Sequence, residues 1–231
     1  GYKVYWRNGA QIIPPHDKGI SAAIDTVDPQ PGMSAESPEA VPPSVGSDYL
    51  DRVLSLRVRP CTGIRAAYTA MHGVGWAPLQ MVLNAAGHTD VHPVIEQRDP
   101  DGDFPTVSFP NPEEDGALDL AIARAQSVGA DIIIANDPDA DRLAVALPDN
   151  TGRWRSLTGN EIGILLAEEL LAYGAAHPSR LVATTIVSTS MLRAIAKSHG
   201  ALCGETLTGF KWLANLSLAH DGPFVLGFEE A

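Results

Sequence analysis

The stretch Asp131-Ile132-Ile133-Ile134-Ala135-Asn136-Asp137-Pro138-Asp139-Ala140-Asp141-Arg142-Leu143-Ala144-Val145-Ala146-Leu147 decides the fold. Two short apolar runs, 131–135 and 143–147, are rich in branched side chains and read as buried strands. Between them lies a loop with aspartates at alternate positions, 137, 139 and 141. In a tightly turning loop such carboxylates converge on one point, where they repel one another unless a cation sits between them. Hard oxygen ligands suit magnesium, manganese or calcium rather than zinc. A solvated acidic loop is the plainer alternative in so acidic a chain. Pro138, which stiffens the loop, and Arg142, a cation beside the carboxylates, weigh against it. A calcium hand counted from Asp137 would need glycine and glutamate where Arg142 and Pro148 stand, so that reading fails.

Outward from this loop, strands alternate with helices. Strand-like runs are expected at 65–71, 89–95, 180–186, 201–205 and 224–228. Helices are expected at 77–86, 116–128, 160–173, 188–199 and 210–218. In the second of these, Leu118, Ala121, Ile122, Ala125 and Val128 share one face. Towards the start, residues 2–6 and 10–13 read as a hairpin around Asn8-Gly9, and 18–28 as a short helix. A Pro-, Ser- and Gly-rich loop is expected at 29–47, with Asp48 capping a helix to about Leu56. The fold class that follows is α/β, with mixed sheets covered on both faces and active loops at the carboxyl ends of strands.

Composition narrows the chemistry. The chain of 231 residues carries 28 acidic and 16 basic side chains, a formal charge of −12. Such a surface repels nucleic acid and anionic lipid, so neither is expected as a partner. Two cysteines, Cys61 and Cys203, cannot build a disulfide framework or a zinc site, which fits a reducing compartment. No apolar run approaches the roughly 20 residues of a membrane span, and the cytoplasm is the expected location. The chain opens on Gly1-Tyr2-Lys3 inside a strand-like run and closes on the apolar run 223–231, and so reads as an internal fragment.

With its flanking segments, the acidic loop resembles the D-x-D-x-D-R motif of the α-D-phosphohexomutase superfamily, and the order of segments matches along nearly the whole chain. The resemblance implies one magnesium ion held by Asp137, Asp139 and Asp141, with Arg142 beside it and a phosphoserine from the preceding domain completing the coordination. Gly1-Tyr2-Lys3 resembles the stretch just after the family's serine loop, which places the serine before Gly1. Lys3 then matches a lysine that holds phosphate charge and assists proton transfer. Without the resemblance, Lys3 is better read as an edge-strand lysine that discourages aggregation.

Met71-His72-Gly73-Val74-Gly75 invites a dinucleotide-binding reading, with Glu96 at a ribose distance. Pro78 takes the place of the third glycine, so the match is weak. The segment is closer to the family's His-Gly-Val-Gly turn, a structural element, and His72 is not assigned to catalysis. Phe104-Pro105 and Pro110-Asn111-Pro112-Glu113 match a long loop of the same domain.

Thr208-Gly209-Phe210-Lys211-Trp212 joins a strand to a helix. Gly209 admits close backbone approach and Lys211 offers charge to a phosphate. A helix cap at Thr208 with a surface lysine fits equally well until the resemblance to the family's substrate loop is added. Gly227-Phe228-Glu229-Glu230-Ala231 resembles the sugar-recognition loop, where Glu229 and Glu230 accept bonds from sugar hydroxyls. Ala231 stands where many members have serine, a departure similar to the branch of phosphopentomutases and certain bacterial phosphomannomutases.

The implied division is the end of domain 1 over 1–58, domain 2 over 59–155 and most of domain 3 over 156–231. The implied activity is phosphoryl transfer between the 1-position and the terminal hydroxyl of a hexose or pentose phosphate, through a sugar bisphosphate. Lacking the serine, this stretch alone is expected to be inactive. A non-catalytic metal- or sugar-phosphate-binding module is the alternative.

Overall fold

The computed structural model describes residues 3–27, 37, 40–61 and 63–230. The chain divides into two compact units, one of Gly46–Leu165 with Glu230–Ala231, the other of Gly1–Val45 with Leu166–Glu229.

The first of these is built on a five-stranded sheet. Its strands are β1 (Ala66–Thr69), β2 (Val91–Pro93), β3 (Ile132–Ala135), β4 (Ala144–Pro148) and β5 (Trp154–Ser156), in the order β2-β1-β3-β4-β5. β1 runs parallel to β2 and β3, whereas β3–β4 and β4–β5 are antiparallel, which makes the sheet mixed. The central strand β1 is buried along its whole length, the condition under which a strand loses the alternation of a one-sided sheet. Helix α3 (Trp76–Ala85) follows β1, and α4 (Asp119–Val128) precedes β3. The small side chains of Ala121 and Ala125, wholly buried, bring α4 close to the sheet, where Ala67, Met71, Ile133 and Ala146 complete one core. Leu118 and Ile122 flank that contact, so the expected apolar face of α4 is the face that packs. A 3-10 turn (Ile95–Gln97) buries Gln97.

The second unit carries a parallel sheet of β6 (Leu181–Thr185), β7 (Leu202–Thr206) and β8 (Phe224–Phe228), with β6 in the centre. All five residues of β6 are buried. Helix α6 (Met191–Ser198) buries Leu192 and Ala196, and α7 (Phe210–Leu218) buries Leu213. The Thr184 hydroxyl donates to Phe228 O at 2.9 Å, tying β6 to the end of β8. Helix α1 (His16–Ile24) also belongs here, while α2 (Ser44–Leu54) and α5 (Gly159–Tyr173) straddle the division between units.

The expected elements recur, with three corrections. Helix α2 starts at Ser44, so Asp48 lies inside it rather than capping it. Pro42 and Pro43 explain the earlier start, since proline suits a first turn whose N–H groups lack helical partners; Val45 N–H donates to Pro42 O. The hairpin is reduced to a single antiparallel bridge, Tyr5 with Gln11, around the Asn8-Gly9 turn. Pro14 and Pro15, which offer no N–H, prevent the ladder from lengthening. Strand β5 was not expected, because three residues with Arg155 in the middle give too short a pattern. Gly1, Tyr2 and Ala231, and most of the loop expected at 29–47, lie outside the described residues. No helix among the described residues is long and apolar enough to cross a membrane.

Candidate metal and substrate sites

The acidic loop spans the antiparallel step from β3 to β4. One oxygen from each of Asp137, Asp139 and Asp141 can be chosen so that all lie within 4.8 Å of one another. Asp137 is buried, and the other two are exposed. Ala140 adopts φ 59, a left-handed conformation unusual for a residue with a Cβ, which reverses the chain between Asp139 and Asp141. Asp137 Oδ1 accepts Arg142 N–H at 3.0 Å, and Arg142 Nε stands 3.9 Å from Oδ2. Burial, and after it the neighbouring carboxylates of Asp139 and Asp141, push the Asp137 carboxyl above its ordinary range, against the lowering bond from Arg142 N–H. A cation with oxygen preference fits this donor set, because it would offset both the burial and the mutual repulsion.

The loop rests on the turn after β1. Met71 and His72 take φ 48 and 61, two successive left-handed residues. A polar chain, buried at Thr69 and Gln97 and reaching the surface at Thr106, fixes them. Thr69 Oγ1 donates to Gln97 Oε1 at 2.6 Å, Gln97 Nε2 donates to Thr106 Oγ1 at 2.9 Å, and Thr106 Oγ1 meets His72 Nε2 at 2.8 Å. The turn so held presents Gly73 to Pro138, so closely that a Cβ on Gly73 would fall 2.2 Å from Pro138 Cα. Val74 N–H donates to Pro138 O. The structural role expected for the His72-Gly73-Val74-Gly75 segment thus has a specific content, a seat for the acidic loop.

Two residues beside the loop were not singled out from sequence. Asn136 Oδ1 accepts the Tyr68 hydroxyl at 2.9 Å, and Asn136 Nδ2 donates to Arg142 O at 2.6 Å. A usable signal existed: Tyr68 is the one residue with a polar tip and a ring in a small-residue buried strand, and such hydroxyls need a partner.

The second unit gathers the other candidates. The loop after β7 carries Thr208, exposed, and Gly209, whose φ of 120 and ψ of 125 turn the chain into α7. Gly209 occupies the position before the helix, so Thr208 is not its cap. Gly209 N–H donates to Glu229 Oε1, which brings the substrate-loop and sugar-loop candidates together. One oxygen of Glu229 is therefore engaged in holding the loop. Lys211 Nζ lies 5.6 Å above the Trp212 ring. Lys3 is exposed and belongs to this unit, whereas Asp137, Asp139, Asp141 and Arg142 belong to the other. Glu230 falls in the unit of the acidic loop, its backbone seated so closely on Gly159 that a Cβ there would lie 2.0 Å from Glu230 O. Among the described residues, Glu230 Oε2 is buried with no hydrogen-bond partner, an uncommon state for a carboxylate oxygen.

Known proteins resemble this chain throughout. The family model described as phosphoglucomutase/phosphomannomutase, alpha/beta/alpha domain II, matches residues 47–152, and that for alpha/beta/alpha domain III matches 158–231. A Haemophilus influenzae protein named "Probable phosphomannomutase" is 45% identical over 239 residues, covering 100% of this chain and 48% of that protein. The Homo sapiens protein named phosphopentomutase is 42% identical over 254 residues, covering 100% of this chain and 42% of that protein. The chain thus spans about half the length of the curated relatives it matches. A solved protein of Thermus thermophilus, carrying a provisional phosphomannomutase name, shares the fold with a TM-score of 0.70 at 23% identity, over 96% of this chain and 48% of that one.

Proposed function

Because this chain belongs to the phosphoglucomutase/phosphomannomutase family, within the α-D-phosphohexomutase superfamily, we propose that the whole protein is a phosphosugar mutase. It moves a phosphoryl group between the 1-position and the terminal hydroxyl of a hexose or pentose phosphate through a sugar bisphosphate. The observation that carries this reading is the convergence of Asp137, Asp139 and Asp141 at the end of β3. The names of the relatives, which are those of mutases, weigh against a non-catalytic binding module.

In this reading the three aspartates hold magnesium, which when bound stabilises charge on the transferred phosphoryl group. Arg142 keeps Asp137 oriented through its backbone N–H and adds positive charge at the loop's end. Lys3 holds phosphate charge near the donor serine, which would come from the part of the relatives' length that this chain does not span. Thr208, Gly209 and Lys211 receive the sugar phosphate. Glu229 contributes its second oxygen to a sugar hydroxyl, and the unpartnered Oε2 of Glu230 contributes another acceptor. The proposed division is domain 1 over 1–58, domain 2 over 59–155 and domain 3 over 156–231. The proposed setting is the cytoplasm, with sugar phosphates and bisphosphates as partners and neither nucleic acid nor membrane.

The test uses the full-length protein with magnesium and the 1-phosphates of ribose, glucose and mannose. Interconversion with the terminal phosphate of at least one sugar, abolished by EDTA and restored by magnesium, is expected. No interconversion of any of them would remove the proposal.

A further inference from the structure

Asn136 has no assigned part in binding metal or substrate, yet it joins three pieces of the acidic site. Its backbone N–H donates to Thr69 O at 3.1 Å, which anchors it to the central strand β1. Its Nδ2 donates to Arg142 O at 2.6 Å, so the residue before the first aspartate is bonded to the residue after the last. Its Oδ1 accepts the Tyr68 hydroxyl at 2.9 Å. Arg142 O, which can only accept, fixes which way the amide faces, and the Tyr68 hydroxyl then donates to the oxygen so presented and holds it in place. Tyr68 is itself immobilised. Its side chain is wholly buried and its ring stacks on Trp76 with centroids 5.7 Å apart. Gly75 leaves room for the hydroxyl, since a Cβ there would lie 2.5 Å from it.

The span from Asn136 to Arg142 is therefore closed by a side chain that is anchored to the core through its oxygen. Three like charges are held on that span, and their separation decides how well a cation is enclosed. We infer that Asn136, anchored by Tyr68, is a positioning residue that sets the width of the acidic loop and with it the affinity for a divalent cation. The inference rests on reading the three aspartates as a metal site. A merely structural role for the same bonds would lower stability and leave the affinity of the folded protein unchanged.

Manganese alone, followed as free ion by electron paramagnetic resonance, separates these outcomes in the full-length protein. Asp139→Asn serves as the reference and is expected to lose binding at this site. Tyr68→Phe keeps the ring and its volume but deletes the hydroxyl; Asn136→Ala deletes the clamp. Each is expected to weaken manganese binding about tenfold, the lower range for outer-shell partners of metal ligands. The double variant is expected to bind no more weakly than Asn136→Ala alone, because Tyr68 acts through Asn136. Wild-type binding by Asp139→Asn would overturn the metal-site reading and this inference with it. Loss in Asp139→Asn, with wild-type affinity in Tyr68→Phe and Asn136→Ala or with additive losses in the double variant, would overturn the inference alone. Should circular dichroism show that Asn136→Ala does not fold, Tyr68→Phe decides the question by its affinity.

Discussion

The two sheets arrange their first three strands alike and finish their functional loops differently. In one, β1 lies between β2 and β3; in the other, β6 lies between β7 and β8, and all these neighbours are parallel. The acidic loop leaves β3, and Glu229 and Glu230 leave β8, each from the last in sequence of the three parallel strands. Beyond the acidic loop the chain returns as β4, antiparallel to β3, and the loop is bonded at Asn136, Asp137, Pro138 and Arg142. Glu229 is bonded to the neighbouring loop at Gly209. A site that encloses an ion gains from fixed distances between ligands. A site that must accept a sugar in two orientations gains from fewer constraints. The contrast in bracing fits the division of labour proposed for the two loops.

The largest effect is expected where the bracing is tightest. Gly73→Ala would set a Cβ against the backbone of Pro138, which cannot rotate away as a side chain can. A loss of about 3 kcal/mol in urea unfolding is expected, from the upper range for overpacking, together with loss of manganese binding. A variant as stable as wild type that still binds manganese would show that the seat under the acidic loop is dispensable.

Alkaline titration gives the next effect. Burial pushes the Tyr68 hydroxyl up to about 12. The unfolded chain releases that proton near pH 10, so folding stability is full below pH 10 and falls as pH rises towards 12. The loss amounts to about 3 kcal/mol, measurable by denaturant unfolding at stepped pH, and Tyr68→Phe should remove this part of the slope.

In the other unit, Glu229→Ala removes the acceptor of Gly209 N–H. About 1.5 kcal/mol of stability should be lost, as for a hydrogen bond to a charged group. Under the proposed mutase activity, the full-length protein's KM for sugar phosphate should rise while manganese affinity stays at the wild-type value; a fall in manganese affinity would erase the contrast between the sites. Least is expected from Arg193→Ala, which breaks an exposed pair with Glu205 at 2.6 Å. Thermal unfolding should shift by under about 0.5 kcal/mol.

Much of this architecture was legible from the chain because its elements are locally consistent. The strands at 66–69, 132–135 and 181–185 consist of small or branched residues apart from Tyr68, and α4 shows its packing face at helical spacing. The three aspartates declared themselves by alternation. What stayed hidden depends on contacts distant in sequence. Nothing local to Gln97 or Thr106 says that they meet His72, and nothing local to Tyr68 says that its hydroxyl reaches Asn136 across 68 positions. The start of α2 departs from expectation for the opposite reason, since Asp48 is a good cap in isolation and the preceding prolines are the stronger local signal.

The contact of Gly73 with Pro138 bears on what could be transplanted. A peptide of residues 131–147 would carry all three carboxylates, the proline and the arginine, yet neither the His72–Gly73 turn nor Tyr68. Ala140 would have no outside reason to hold its left-handed conformation, and the like charges would spread apart. Grafting the ligand residues onto another hairpin should therefore reproduce the chemistry of the donors without their geometry. The smallest portable unit is the acidic loop with the opposite turn and the strand that carries Tyr68.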